Sequence, residues 1–142
     1  MKYLGLLLIS LTLFCNCNST NTATSKNTET KNQLEPEGKY LVTSLYGKDV
    51  SEHKLTLVIT PKNKTISGFS GCNTYSCNYT SEGKTFSAGF PMASKMYCEK
   101  TGKIEKEFFK ALSELKTKNL KEPTLTFKNE EEKEILVAKK SE

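Results

Sequence analysis

From Gly38 to the C-terminus the apolar residues recur mostly with a period of two, and a chain patterned this way buries one face only by forming sheet. Lys54–Thr60 shows it most clearly, with Leu55, Leu57 and Ile59 set against Lys54, Thr56 and Val58. Lys39–Leu45 is a second strand, and Tyr46-Gly47-Lys48-Asp49 between the two has turn chemistry. Pro61–Lys64 is another polar turn, after which Thr65–Ser70 is strand, with Gly68 and Gly71 marking a bulge or a sharp change of direction. Asn73–Thr80 and Lys84–Ser87 read as a hairpin around Ser81-Glu82-Gly83. Thr124–Lys128 and Glu134–Lys139 read as a closing hairpin around Asn129–Lys133, set off from what precedes by Pro123.

One segment breaks the pattern. In Thr101–Leu115, Ile104, Phe108, Ala111, Leu112 and Leu115 fall at helical spacing, Thr101 is a candidate N-cap, and Glu105, Lys106, Glu107 and Lys110 take the other face. The folded part, residues 37–142, is therefore expected to be one α+β domain, mainly antiparallel β, with a strongly curved sheet and a single helix packed on or across it.

The start of the chain speaks of location. Met1-Lys2 precedes Tyr3–Phe14, a mostly apolar run too short for the roughly 20 residues a membrane-spanning helix needs, so residues 1–16 read as a secretory signal. The Cys15-Asn16-Cys17 sequence that ends it resembles the lipobox of bacterial lipoproteins, in which a cysteine thiol receives diacylglycerol. Cys17, preceded by small Asn16, is favoured over Cys15, which follows bulky Phe14; cleavage and plain secretion is the competing outcome. Asn18 stands where such lipoproteins carry an inner-membrane-retaining aspartate, so the resemblance implies the outer membrane. The stretch up to Pro36 is rich in Asn, Thr, Ser and Lys and reads as a disordered tether over residues 17–36, with an average span of roughly 25 Å.

The most distinctive stretch lies between strand and helix. Ser67-Gly68-Phe69-Ser70-Gly71-Cys72-Asn73-Thr74-Tyr75 and Met92-Ala93-Ser94-Lys95-Met96-Tyr97-Cys98 resemble the two signature elements of the META domain, or HslJ-like, family. Tyr40–Val50 is similar to that family's first strand and turn, and Ile104-Glu105 to the pair that begins its helix. The resemblance spans about residues 37–140. It implies a small barrel-like sheet with a helix, motif roles for Gly71, Cys72, Asn73, Tyr75, Met92, Lys95, Met96 and Cys98, and links with the cell envelope, heat or drug stress and virulence. It implies no enzymatic activity. Three positions depart from the family pattern. Tyr40 replaces a frequent tryptophan, Cys77 a glycine, and Lys95 an arginine, which removes the bidentate fork suited to gripping a carboxylate.

The resemblance also implies a Cys72–Cys98 disulfide, in keeping with an oxidising compartment. Cys77 with Cys98 and Cys72 with Cys77 are the competing pairings; a Cys72–Cys98 bond leaves Cys77 over as a free thiol, and the left-over cysteine is a buried thiol, half of a cross-dimer disulfide or a redox-reactive group. A zinc site from Cys72, Cys77, Cys98 and His53 lacks the usual C-x2-C spacing, and a Cys77–His53 nucleophile lacks an orienting third group. No metal and no cofactor is expected. Asp49, the lone aspartate, reads as a turn residue, and Glu130–Glu132 as a solvated turn. Tyr40, Phe69, Tyr75, Tyr79, Phe86 and Phe90 are needed as core before they can line a groove. The lysines between Lys100 and Lys121 read as solvated, and since the chain has 21 basic residues, all lysine, base-edge reading of nucleic acid is not expected.

The functional expectation is a non-catalytic, monomeric, lipid-anchored envelope protein acting in stress tolerance by binding an unidentified envelope protein or ligand. An inhibitor of a host hydrolase such as lysozyme, and a thiol-redox protein using Cys77, are the alternatives.

Overall fold

Leu55, Leu57 and Ile59 are all buried, as their alternation requires. The computed structural model of the protein describes residues 35–141. Along them run β1 (Gly38–Leu45), β2 (Lys48–Asp49), β3 (Thr56–Thr60), β4 (Thr65–Phe69), β5 (Thr74–Glu82), β6 (Thr85–Ala88), β7 (Met92–Ala93), α1 (Gly102–Ser113), β8 (Thr117–Lys121), β9 (Thr124–Lys128) and β10 (Glu134–Lys140). The signal, Cys15, Cys17 and the tether up to Leu34 lie outside the described residues.

All strand pairings are antiparallel, and β10 pairs with β9 on one side and β1 on the other. The ring β1-β3-β4-β5-β6-β8-β9-β10 is thereby a closed eight-stranded barrel, with β2 added beside β1 and β7 beside β5. A barrel of this size has an interior that side chains fill. Closure also removes the long exposed edges that an open sheet of these strands would present. The weakest seam is β6–β8, where Thr85 faces Thr117 and the Phe86 and Lys118 amides donate to Lys116 and Lys84 carbonyls at 2.9 and 2.7 Å.

Two bulges explain where the period of two slips. In β1 the register against β10 shifts between Val42 and Ser44, so Tyr40, Val42 and Leu45 all face inward despite their uneven spacing. In β10 a shift between Glu134 and Leu136 lets the consecutive residues Ile135 and Leu136 both be buried. An extra residue in one strand resets the phase of every side chain beyond it. Gly68, expected to mark a bulge or a turn, does neither: β4 pairs with β5 without a break from Thr65 to Phe69. It is there for close approach, since a Cβ would sit 2.2 Å from the Thr56 carbonyl oxygen. The change of direction falls at Gly71, whose φ of +94° suits the tight β4–β5 turn closed by Ser70 N–H donating to Asn73 O at 2.8 Å.

Helix α1 crosses one mouth of the barrel. Ile104, Phe108, Ala111 and Leu112 are buried beneath it, and Phe108 meets Tyr75 edge to face at 5.3 Å. Its first turn is held to the β4–β5 turn through Glu105, and Glu114 at its end accepts from the Tyr46 hydroxyl at 2.8 Å. Thr101 occupies the N-cap position but makes no side-chain capping bond. Glu105 is not on the solvated face where its spacing put it, because the β4–β5 turn reaches over the helix start and claims the carboxylate.

The other end of the barrel holds a polar plug. Lys118, counted among the solvated lysines, is instead buried, with its side chain 2% exposed and its Nζ 2.8 Å from Glu35 Oε2 and 2.7 Å from Ser81 Oγ. The tether read as ending at Pro36 loses its last two residues to the domain: Pro36 is buried, and Glu35 also meets Lys64 at 3.4 Å. Segment Thr117–Lys121, which carries no clear alternation of its own, is strand because β9 and β6 flank it. Between the two ends, Tyr79 stacks on Phe86 at 4.7 Å and Phe86 tilts against Phe127 at 4.9 Å.

Candidate functional site

Cys72 lies in the β4–β5 turn and Cys98 just ahead of α1, and a disulfide joins them with 5.9 Å between their Cα atoms. The bond ties the segment Gly89–Cys98 down at its far end. At its near end β7 adds to β5, Ala93 opposite Tyr75 and Met92 opposite Ser76. The middle is held by one side chain. Asn73 Oδ1 accepts from the Met96 backbone N–H and from the Ser94 hydroxyl, both at 2.8 Å. Its Nδ2 donates to Glu105 Oε1 and Oε2 at 3.0 and 3.1 Å and to the Met96 carbonyl at 3.3 Å. The Asn73 backbone N–H reaches Glu105 Oε2 at 3.0 Å, and the Ser70 hydroxyl sits between that same carboxylate and the Asn73 carbonyl.

Asn73 is buried, so each of these bonds satisfies a group that would be costly to leave bare. An aspartate at this position would set two carboxylates against each other, and a leucine would leave the Met96 amide without its side-chain partner. Asparagine, with donor and acceptor on one planar group, suits both neighbours at once.

What this scaffold presents is apolar. Phe90 is 91% exposed, Tyr97 90%, Met92 75% and Met96 62%. Isolated exposed apolar residues are ordinary, whereas here four large ones fall within one short, covalently pinned segment. Phe90 was expected in the core with the other aromatics. Tyr40, Tyr75, Tyr79 and Phe86 are indeed buried and Phe69 partly so, whereas Phe90 follows the end of β6 and has no layer above it.

The remaining motif residues divide by role. Gly71 packs where an added Cβ would meet Leu55 and Ile104 side chains at 3.0 and 3.1 Å. The Tyr75 hydroxyl donates to the Thr56 carbonyl at 3.0 Å. Lys95 is exposed and makes no ion pair among the described residues. Cys77 is a free thiol on β5, buried against the barrel core, and burial pushes it up to about 11. With Cys72 and Cys98 joined to each other, the four-ligand set with His53 does not assemble; His53 instead lies 3.5 Å from Glu52. Asp49 is a turn residue whose Oδ1 accepts from the Ser51 amide at 2.8 Å, a bond that holds its carboxyl below the usual range. Glu131 and Glu132 are exposed and pair with Lys133 and Lys128 at 2.6 and 3.3 Å.

The residues that sequence reasoning overlooked are Glu105, Ser70 and Ser94, the partners of Asn73. Glu105 carried a usable signal, because the Ile104-Glu105 pair belongs to the resemblance that singled out Asn73.

Comparison with known proteins agrees with the fold. The family model described as META domain matches residues 32–142. A search of curated proteins finds no match. Among solved structures, the chain is similar to an NMR structure of a protein from Burkholderia xenovorans at 21% identity and a TM-score of 0.56, over 74% of this chain and 82% of that one. It is also similar to the crystal structure of a DUF4847 family protein from Bacteroides vulgatus at 12% identity and a TM-score of 0.55, over 72% of this chain and 92% of that one. At these identities the likeness is one of fold.

Proposed function

The chain belongs to the META domain family, and from that premise we propose that it is a non-catalytic, lipid-anchored envelope protein that acts in stress tolerance by docking its Phe90–Tyr97 loop on another envelope component. The observation that carries the reading is the pairing of four exposed apolar side chains with a scaffold that ties their segment down at Met92, Met96 and Cys98. A loop preorganised in this way gives up little conformational entropy on docking. The polar groups beneath it, Asn73, Glu105, Ser70 and Ser94, are engaged with one another, which supports a positioning role for them and not a chemical one. Anchoring draws its support from the cysteines that follow the N-terminal apolar run.

The thiol-redox alternative is disfavoured by Cys77 itself. Reactive cysteines are accessible and held as thiolates, whereas this one is buried and its thiol is pushed up to about 11.

The test is a Phe90→Ser/Tyr97→Ser double variant of the full chain in its host, scored for heat and drug sensitivity against a deletion strain, with protein abundance measured alongside. The expected result is the deletion phenotype at wild-type abundance. Wild-type tolerance in the variant would remove the loop from the function. If the purified chain slowed lysozyme at a near-stoichiometric ratio and the variant did not, the loop would instead be that of a hydrolase inhibitor.

A further inference from the structure

We infer that the surface met by the Phe90–Tyr97 loop is an anionic lipid bilayer, into whose headgroup region Phe90, Met92, Met96 and Tyr97 insert while Lys95, Lys100 and Lys103 meet the lipid phosphates. This deepens the reading above, since it names the chemistry of the component on which the loop docks.

Three observations carry it. The first is exposure: Phe90 and Tyr97 are 91% and 90% exposed, so their rings project from the surface and are not laid along a groove of the domain. Side chains that project singly from a pinned loop suit a fluid medium that closes around each of them. The second is residue type. An aromatic ring with a polar tip, a phenyl ring and two flexible thioethers are the side chains that partition into the zone between headgroups and acyl chains. The third is charge. Between Gly89 and Lys103 three exposed lysines stand against one glutamate, Glu99, and an ammonium on a long apolar stem can keep its charge at phosphate level while the stem lies in the interface.

The anchor does not obstruct this orientation. Glu35, where the described chain begins, sits at the barrel end opposite α1, beside Lys64 and Ser81. The 17 residues from Asn18 to Leu34 reach up to about 60 Å when extended, against roughly 27 Å for an eight-residue strand such as β1. A lipid-anchored domain can therefore lie with the loop against the same bilayer.

The chain contains no tryptophan, so a single introduced one reports on the loop alone. The experiment places the full chain carrying Tyr97→Trp in vesicles of phosphatidylethanolamine and phosphatidylglycerol, and in vesicles of phosphatidylcholine. Lys62→Trp, on the exposed β3–β4 turn at the other end of the barrel, serves as the control. The expected result is an emission shift to shorter wavelength and quenching by brominated acyl chains for Tyr97→Trp in the anionic vesicles. Both effects should weaken in phosphatidylcholine or on adding Lys95→Glu and Lys100→Glu, and be absent for Lys62→Trp. An unshifted Tyr97→Trp emission in a chain that sediments with the anionic vesicles overturns the inference and leaves the anchored reading standing. A shift that appears only when solubilised envelope proteins are added also overturns it, in favour of a protein partner. Failure of the chain to stay with native membranes after a salt wash would count against the anchored reading separately.

Discussion

Asn73 and Glu105 form the joint between barrel and helix: the Asn73 amide nitrogen meets both oxygens of the Glu105 carboxylate at 3.0 and 3.1 Å, while its amide oxygen holds the loop through the Met96 N–H at 2.8 Å. One side chain thus couples three segments that are distant in sequence.

Asn73→Ala should accordingly cost about 2–3 kcal/mol, because it strands a carboxylate and a loop amide that were satisfied. Glu105→Gln, which keeps the shape and one acceptor, should cost about half as much. Urea unfolding measures both, and an Asn73→Ala cost below about 1 kcal/mol would mean that these bonds contribute little to the joint.

Reduction of the Cys72–Cys98 disulfide, or Cys72→Ser with Cys98→Ser, should lower stability by about 3.5 kcal/mol in the chain-entropy account for a separation of 26 residues. The loop should also become the first site cut by protease, since its far end is freed while β7 remains. An unchanged urea midpoint with and without reductant would show that the crosslink constrains little of the unfolded chain.

Glu35 and Lys118 should respond unequally to replacement. Glu35→Gln removes the countercharge of a lysine whose side chain is 2% exposed and should cost about 1–3 kcal/mol. Lys118→Met removes the buried charge itself, leaves a carboxylate that still touches water, and should stay within about 1 kcal/mol of wild type. Burial pushes the Glu35 carboxyl up, but the hydrogen bond and charge of Lys118 outweigh it and the net position lies below the ordinary 4.5. A carboxyl held low in the folded state contributes stability that is complete above its unfolded pKa and is lost as pH falls through the folded one. The stability difference between wild type and Glu35→Gln should then be full at neutral pH and close on acidification below 4.5.

Cys77 should resist alkylation in the folded protein. With its thiol at about 11 against an ordinary 9.0, ionisation alone slows reaction with iodoacetamide at mildly alkaline pH by about 100-fold, and burial slows it further. Full labelling on unfolding, with none before, is the expected result by intact mass. Rapid labelling of the native chain would reopen thiol chemistry at this position.

The elements with strong local periodicity were legible in advance. β3, the β5–β6 hairpin, β9 and α1 each carry their own alternation or helical spacing, as β10 does beyond its bulge, and their inward residues are the buried ones. β7 and β8 were not legible, because Met92–Ala93 and Thr117–Lys121 are strands by virtue of the neighbours they pair with and not of any pattern within them. The paired cysteines and Asn73 were visible through the resemblance, but Glu105 was assigned to solvent by a rule that looks only along the helix.

By itself the sequence determined the strands that carry their own alternation, the one helix and the apolar face of each, since these follow from side-chain spacing along a few consecutive residues. Tertiary structure alone decided that β10 returns to β1 and closes the barrel, that Lys118 is inside while Phe90 is outside, and that Glu105 turns to Asn73. Each depends on which residues distant in sequence become neighbours once the sheet curls shut. A lysine becomes an interior residue only when a carboxylate from the other end of the chain meets it there, and a phenylalanine stays exposed when no layer is left to cover it.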